Sequence, residues 1–145
     1  MAKSFSPSIN IVRDAEQQLS YLPTQNAQKV FGQLVNNYSS GIHCFNIVGA
    51  YGTGKSAFLW AFQQTLKKKH EYFHTTIGFK KVKKFQFERF VGQFASLKET
   101  FARHFITDGT AETTTDFILL AIDLQYRELA KKNTALVIII DEFGK

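Results

Sequence analysis

A glycine-rich segment that ends in a lysine and a serine carries the clearest chemical signal of this sequence. It covers residues 49–56 and reads Gly-Ala-Tyr-Gly-Thr-Gly-Lys-Ser. Glycine lets a backbone turn tightly and present successive amide groups to phosphate oxygens, where a β-carbon would crowd the ligand. Lys55 would then offer an ammonium group to the outer phosphates, and Ser56 a hydroxyl to a magnesium ion. The spacing therefore predicts a phosphate-binding loop formed by Gly49, Ala50, Tyr51, Gly52, Thr53, Gly54, Lys55, Ser56 and Ala57.

The segment matches the Walker A pattern, G-x-x-x-x-G-K-[ST], at every fixed position. With the residue frequencies of this sequence, chance produces such a match in about one of 140 random chains. A glycine-rich turn that binds nothing is the alternative. A strand before the loop and a helix after it favour phosphate binding, because the helix would direct its positive end at the phosphates.

Two acids follow the most apolar run of the chain. The run covers residues 135–140, and Asp141 and Glu142 come directly after it. Ligands of open parallel sheets bind just beyond the carboxyl ends of the strands. We expect Asp141 to lie near the metal ion, through a water molecule, and Glu142 to orient and deprotonate an attacking water. A solvated turn is the alternative for this pair alone.

Together, the two motifs resemble those of P-loop NTPases of the AAA type and of the broader additional-strand, catalytic-glutamate division. The resemblance covers residues 24–145 and implies binding and hydrolysis of ATP with Mg²⁺. It implies phosphate binding and catalysis by Lys55, metal binding by Ser56 and Asp141, and Glu142 as the catalytic base. Two short segments, Asp-Glu-Phe-Gly-Lys at residues 141–145 and Tyr-Leu-Pro-Thr at residues 21–24, also resemble segments of large prokaryotic AAA-type ATPases. Some of these ATPases belong to phage-defence systems.

The resemblance implies an α/β fold, with a mainly parallel sheet in a three-layer α/β/α arrangement. The strand after Walker B, the last core strand, the helical lid and the arginine finger of the family would all follow Lys145. We therefore expect the amino-terminal part of a longer ATPase, a conformational switch or motor whose hydrolysis needs further residues. Relatives often form rings, which is consistent with a homo-oligomer, although the finger and lid that argue for a ring are not found.

Two other function classes stay open. A P-loop kinase would phosphorylate a small acceptor, but the sequence has no arginine-rich lid and its Asp-Glu pair suits activation of water. A nucleotide-dependent scaffold would bind ATP without hydrolysing it, on DNA. Phosphate release without an acceptor would indicate the ATPase, and ADP formation that depends on an acceptor would indicate the kinase. The absence of both activities would indicate the scaffold.

The elements that must position these motifs alternate between helices and strands, as in α/β proteins. After an irregular segment at residues 1–23, apolar spacing predicts helices at 25–38, 56–69, 87–105 and 114–132. We expect Thr24 to cap the first helix, Thr113 and Asp116 to form a capping box on the last, and Asn133 to close it. The phenylalanine stripe of the third helix indicates core packing, with a stacking platform for bases as the alternative.

Strands are predicted at residues 42–48, 72–79 and 135–140, the first buried with Cys44 in the core and the last covered on both faces. The N-terminal residues lack the apolar region of a secretory signal, and the longest apolar run is far short of a membrane span. A single cysteine suits a reducing compartment. We therefore expect a cytoplasmic protein without a membrane segment.

Seven lysines fall between residues 67 and 84, in a chain of formal net charge +6. A nucleic-acid contact would use Lys80, Lys81, Lys83 and Lys84. We favour a solvated helix end and loop, because no base-reading motif accompanies these lysines. The four histidines show no metal-site spacing beyond His70 and His74, which are four residues apart.

Overall fold

The computed structural model describes residues 8–75, 78–79, 81–92 and 95–142. Over these residues it contains four helices and a parallel two-stranded sheet, so the prediction of a mixed α/β fold is confirmed. The elements are α1 (Gln25–Ser39), α2 (Lys55–Leu66), β1 (Lys84–Val91), α3 (Leu97–Phe105), α4 (Thr115–Ala130) and β2 (Thr134–Asp141). The chain divides into two compact units, Met1–Phe85 and Gln86–Lys145.

Aromatic side chains form the core of the first unit. Phe31 of α1 and Phe73, which follows α2, are each 1% exposed and stack with ring centroids 5.0 Å apart. Phe58 of α2 packs against Phe73 at 5.3 Å. The hydroxyl of Thr24 accepts a hydrogen bond from the Ala27 amide at 3.1 Å, which confirms Thr24 as the cap of α1.

The irregular N-terminal segment is part of this core. Residues 8–23 belong to none of the helices and strands, as the sequence indicates, yet Ile11 and Leu19 are almost fully buried. The Asp14 carboxylate is also buried and pairs with Arg13 at 2.7 Å. The hydrogen bonds from the Arg13 guanidinium lower the pKa of Asp14. The segment therefore packs as an ordered strap on the first unit.

In the second unit, the two strands lie side by side and α3 and α4 form the connection between them. Parallel neighbours need such a crossover, because a tight turn cannot join them. The Gly92 amide donates to the Asp141 carbonyl at 2.8 Å, which continues the pairing past the end of β1. The Phe90 ring of β1 packs against Phe101 and Phe105 of α3, with centroids 4.8 and 6.0 Å apart.

The predicted helix over residues 87–105 is wrong. Its first part is β1 and its last part is α3, while Phe94 lies outside the described residues. Phe87 and Phe90 have helical spacing, but both are buried on a strand. Phenylalanine and valine also favour strands, and pairing with the remote apolar residues of β2 decides between the two structures. The interpretation of these two aromatics as core is confirmed.

The two earlier predicted strands are also wrong. Residues 42–48 form no strand, Ile42 and Val48 are 50% and 87% exposed, and Cys44 is exposed instead of buried. Residues 72–75 and 78–79 are likewise not in a strand, and residues 76–77 lie outside the described ones. A β-prone segment needs a neighbouring strand to bond its backbone groups, and the described residues supply none for these segments.

The last helix and strand agree with the prediction in extent but not in every detail. The Thr114 hydroxyl accepts from the Phe117 amide, so the capping box predicted for Thr113 and Asp116 is wrong. Asn133 has a φ of 52° and turns the chain into β2, as expected of a residue that closes the helix. Ile140 is 38% exposed, so burial of β2 on both faces is not complete. No helix of the described residues has the length and apolarity that a membrane span requires.

Candidate phosphate-binding site

The glycine-rich loop turns sharply into α2. Gly52 and Gly54 have φ values of 78° and 83°, in the left-handed region that side chains with a β-carbon rarely adopt. Gly54 is also the residue that precedes α2 and accepts the first helical hydrogen bond, from Phe58 at 2.9 Å. The helix predicted after the loop is confirmed, with its end at Leu66 and not Lys69. Glycine at these positions is therefore what lets the loop lead directly into a helix.

The start of α2 differs from the starts of the other three helices. Side-chain oxygens of Thr24, Ser96 and Thr114 cap α1, α3 and α4, whereas Gly54 offers no side chain. The first amides of α2 therefore lack a side-chain acceptor in the described part of the chain. Free amides and the helix dipole give such an end a positive character, which suits an anionic ligand. The amides in question belong to Lys55, Ser56 and Ala57.

The Lys55 side chain folds back over the loop. Its ammonium donates to the carbonyl oxygens of Gly49 and Ala50, each at 2.7 Å. The Thr53 hydroxyl donates to the same Ala50 carbonyl at 2.7 Å. A β-carbon at Gly49 would lie 3.0 Å from the Thr53 hydroxyl oxygen and 3.7 Å from Lys55 Cδ, so the Thr53 side chain would have to shift slightly to admit one. The ammonium is thus held on loop carbonyls, and phosphate oxygens are stronger acceptors for it than these neutral groups.

The predicted acids lie at the end of β2. Asp141 is 7% exposed, and its carboxylate accepts a hydrogen bond from the Glu142 amide at 3.0 Å. Glu142 is exposed and has a φ of 56°, a left-handed conformation that is uncommon for a residue other than glycine. Backbone conformations of this kind cluster at functional sites. The remaining residues of the predicted ending, 143–145, lie outside the described residues.

The two motifs fall in different compact units. The loop, Lys55 and Ser56 belong to the first unit, whereas Asp141 and Glu142 belong to the second. In the described parts of the chain, no group of three or more His, Cys, Asp or Glu side chains is placed to hold a metal ion. Magnesium usually keeps several waters and takes other oxygens from substrate phosphates, so a site for it needs few protein ligands.

The lysine-rich region has two parts. Lys67 bonds Glu16 at 2.8 Å and Lys69 pairs with the same carboxylate, and these hydrogen bonds lower the pKa of Glu16 to about 2. Lys81, Lys83 and Lys84 are exposed, and Lys80 lies outside the described residues. The lysines at the end of α2 therefore have a structural partner that the sequence did not reveal.

Sequence reasoning also missed a polar cluster in the second unit. The Glu88 carboxylate of β1 contacts His104 Nε2 at 2.7 Å and accepts from Gln125 at 2.8 Å and from Gln86 at 2.9 Å. Burial acts to raise the pKa of Glu88, but the hydrogen bonds from these neighbours outweigh it and the pKa is lowered. The cluster joins β1 to α3 and α4. Its members are far apart in the sequence, so no local pattern could have revealed it.

Comparison of the chain with protein-family models, with curated proteins and with solved structures finds no match. The chemistry of the site must therefore be judged from its own residues. Within the first unit these are a tight glycine loop, a helix start without a side-chain cap and a lysine bonded to the loop carbonyls. Such an arrangement can bind a phosphate group by backbone amides and one ammonium.

Proposed function

We propose that this protein binds ATP with magnesium and hydrolyses it. The observation that carries the proposal is the start of α2, where Gly54 leaves the first amides uncapped and the Lys55 ammonium lies over the loop carbonyls of residues 49 and 50. Phosphate oxygens can accept from these amides and from the ammonium together. Ser56, at the second helical position, supplies the hydroxyl oxygen for magnesium.

Hydrolysis adds the acids at the end of β2 to this proposal. The buried carboxylate of Asp141 would hold the magnesium ion through a water, and the exposed Glu142 would take the proton of the attacking water. The transferred phosphoryl group needs mainly correct position and neutralised charge. Lys55 is therefore expected to affect binding most, and Glu142 turnover. In a larger protein, such a cycle would act as a switch or motor, including in phage defence or on DNA.

The three-layer α/β/α arrangement of P-loop NTPases is the finer part of the proposal. In such a fold, helices are covered on more than one side by neighbouring helices and by the sheet. α4 suits that position, because much of its surface is apolar yet exposed. The exposed apolar side chains are Phe117, Leu119, Leu120, Leu124 and Tyr126.

The nucleotide site is tested by thermal unfolding of the 145-residue chain with and without magnesium-ATP. A ligand at about 100 times its dissociation constant adds about 2.7 kcal/mol of stability, a shift of several degrees for a chain of this length. We expect this shift in the unmodified protein and in Lys29→Ala, which removes an exposed lysine of α1. We expect none in Lys55→Ala. An equal shift in Lys55→Ala would contradict the assignment of the site.

Turnover is tested with Glu142→Gln, which keeps the shape of the side chain and removes its basicity. We expect this variant to bind ATP as the unmodified chain does and to release phosphate at least 100-fold more slowly, since general base catalysis contributes about 10²–10⁴. Phosphate release should need no acceptor. ADP formation only with an added acceptor would indicate a kinase, and binding without any turnover would indicate a scaffold.

A further inference from the structure

The first unit carries an excess of positive charge that the second unit does not share. Residues 1–85 contain 11 lysines and arginines against three acids, a formal net charge of +8. Residues 86–145 contain seven against nine, a net charge of −2. Each acid of the first unit already has a basic neighbour, at 2.7 Å for Asp14, 2.8 Å for Glu16 and 3.1 Å for Glu71. Such an excess of one sign attracts polyanions to the first unit.

Three exposed lysines concentrate this charge at the end of the first unit. They are Lys81, Lys83 and Lys84, and none of them takes part in an ion pair within the described part of the chain. No Asp or Glu occurs between residues 72 and 87. The Val82 amide donates to the Phe79 carbonyl at 3.2 Å, so the lysines lie on a tight turn and just after it. Their segment has no carboxylate of its own to neutralise them.

A row of aromatic rings borders the same segment. His43 stacks on Tyr38, with ring centroids 4.9 Å apart and planes at 24°. Tyr38 contacts Phe79 at 5.3 Å, and Phe79 contacts Phe85 at 5.0 Å. These four residues, which we call the aromatic row, connect the end of α1 to the lysine segment, because Phe79 and Phe85 flank the three lysines in the chain.

The aromatic row differs from the core of the first unit in its exposure. Phe73 of the core is 1% exposed, whereas His43 is exposed and the other three residues of the row are half-buried. Exposed rings and ammonium groups together are what sequence-tolerant proteins use to bind single strands, since bases stack on the rings and phosphates meet the cations. In a duplex the base faces are stacked on one another, so the row favours an unpaired strand.

We propose that the aromatic row and the lysines at 81, 83 and 84 form a surface that binds single-stranded nucleic acid. A base would stack at His43, and the lysines would neutralise phosphates of the same strand. The lysines alone carry no base-binding residues in their local sequence, but the folded chain brings Tyr38 and His43 to them through Phe79. The surface includes neither Lys55 nor the acids at the end of β2, so it goes beyond the proposed ATP hydrolysis and does not depend on it.

Fluorescence anisotropy without ATP tests the binding. The probe is a labelled oligonucleotide of about 20 thymidines, longer than a typical single-strand site. A uridine oligonucleotide of the same length tests RNA, and a DNA duplex of that length tests the need for unpaired bases. We expect saturable binding of at least one of the two single strands, tighter than that of the duplex. Equal or tighter binding of the duplex, or no saturable binding of either single strand, would overturn the proposal.

A matched pair of lysine variants tests where the strand binds. Lys83→Ala with Lys84→Ala removes two charges of the surface, whereas Lys29→Ala with Lys68→Ala removes two exposed charges elsewhere in the first unit. Each phosphate contact contributes about 0.7 to the slope of log affinity against log salt concentration, so the first variant should reduce the slope by about 1.4. The second should leave it nearly unchanged. Equal slopes in the two variants would show that the general charge of the unit, and not this surface, holds the strand.

His43→Ala tests the stacking. We expect it to bind the single strand about tenfold more weakly, whereas His43→Tyr keeps a ring and should retain most of the affinity. Heparin, a polyanion without bases, should bind equally to His43→Ala and to the unmodified chain. Lys55→Ala should bind the strand as the unmodified chain does. Unchanged strand binding in His43→Ala would contradict the stacking, and loss of binding in Lys55→Ala would assign the strand to the glycine-rich loop instead.

Discussion

The two ends of α2 are built in opposite ways. At its start, the loop residues are exposed, two glycines are in left-handed conformations and no side chain caps the helix. From its middle to its end, Trp60, Gln64 and Leu66 are buried, and the first two bond the carbonyls of the N-terminal segment. One end therefore leaves backbone donors open, whereas the other uses its donors to hold the first unit together.

This difference teaches how a glycine-rich loop can leave a helix start uncapped without loss of stability. Uncapped amides and left-handed residues contribute little to folding, so a helix that begins in this way must be held elsewhere. Packing against the irregular strap at residues 8–23 supplies that support. Substitutions at the two ends should consequently act on different properties, stability at the end of α2 and ligand binding at its start.

Removal of Trp60, the buried anchor in the middle of α2, should have the largest effect on stability. Trp60→Ala deletes a side chain that is 1% exposed and leaves a cavity, which should lower the free energy of unfolding by about 3–5 kcal/mol. Urea unfolding followed by circular dichroism measures this change. Tyr51 lies in the loop before α2 and is 88% exposed, so Tyr51→Ala should change the free energy of unfolding much less. Similar losses in the two variants would show that the ends of α2 are equally structural.

A pair of glycine substitutions tests the role of the loop conformation. A β-carbon would meet nothing within 4 Å at either Gly54 or Gly32, but only Gly54 has a left-handed φ, of 83°. Gly54→Ala should therefore lower stability by about 1 kcal/mol, whereas Gly32→Ala in α1 should raise it by about 0.5–1 kcal/mol. Urea midpoints measure both. A stabilising Gly54→Ala would show that the loop does not need this conformation.

The smallest expected effect concerns pH and the ion pairs beside the end of α2. Hydrogen bonds from Lys67 and Lys69 lower the pKa of Glu16 from the usual 4.5 to about 2. The stabilisation is therefore fully present above pH 4.5 and is lost as the pH falls toward 2. Glu16 is 63% exposed, so the effect should stay below about 1 kcal/mol.

Melting temperatures of the unmodified chain and of Glu16→Gln, measured between pH 7 and pH 2, isolate this contribution. The unmodified chain should be the more stable of the two at pH 7, and the difference should shrink as Glu16 becomes protonated. A difference that does not depend on pH would assign the effect to packing of the side chain and not to its charge.

Sequence patterns predicted the helices better than the strands. The spacing of apolar residues fixed α1, α2 and α4 to within a few residues, because a helix bonds its own backbone and needs only one apolar face. The segment at residues 42–48 has equally strong β-prone character and yet forms no strand. Residues 87–91 show the reverse error, since helical spacing of phenylalanine concealed a strand that pairs with β2. Strand formation depends on a partner that is remote in the sequence.

Local sequence alone determined the glycine-rich loop, because its glycines and the lysine that bonds its carbonyls lie within eight consecutive residues. It also determined β2 and the acids at its end, through a continuous apolar run followed by Asp141 and Glu142. Only the tertiary structure decided how the N-terminal strap packs on α2, which rings form the aromatic row and which groups surround Glu88. The long-range hydrogen bonds of these features join residues 16 to 53 positions apart, and no periodic pattern encodes such pairings.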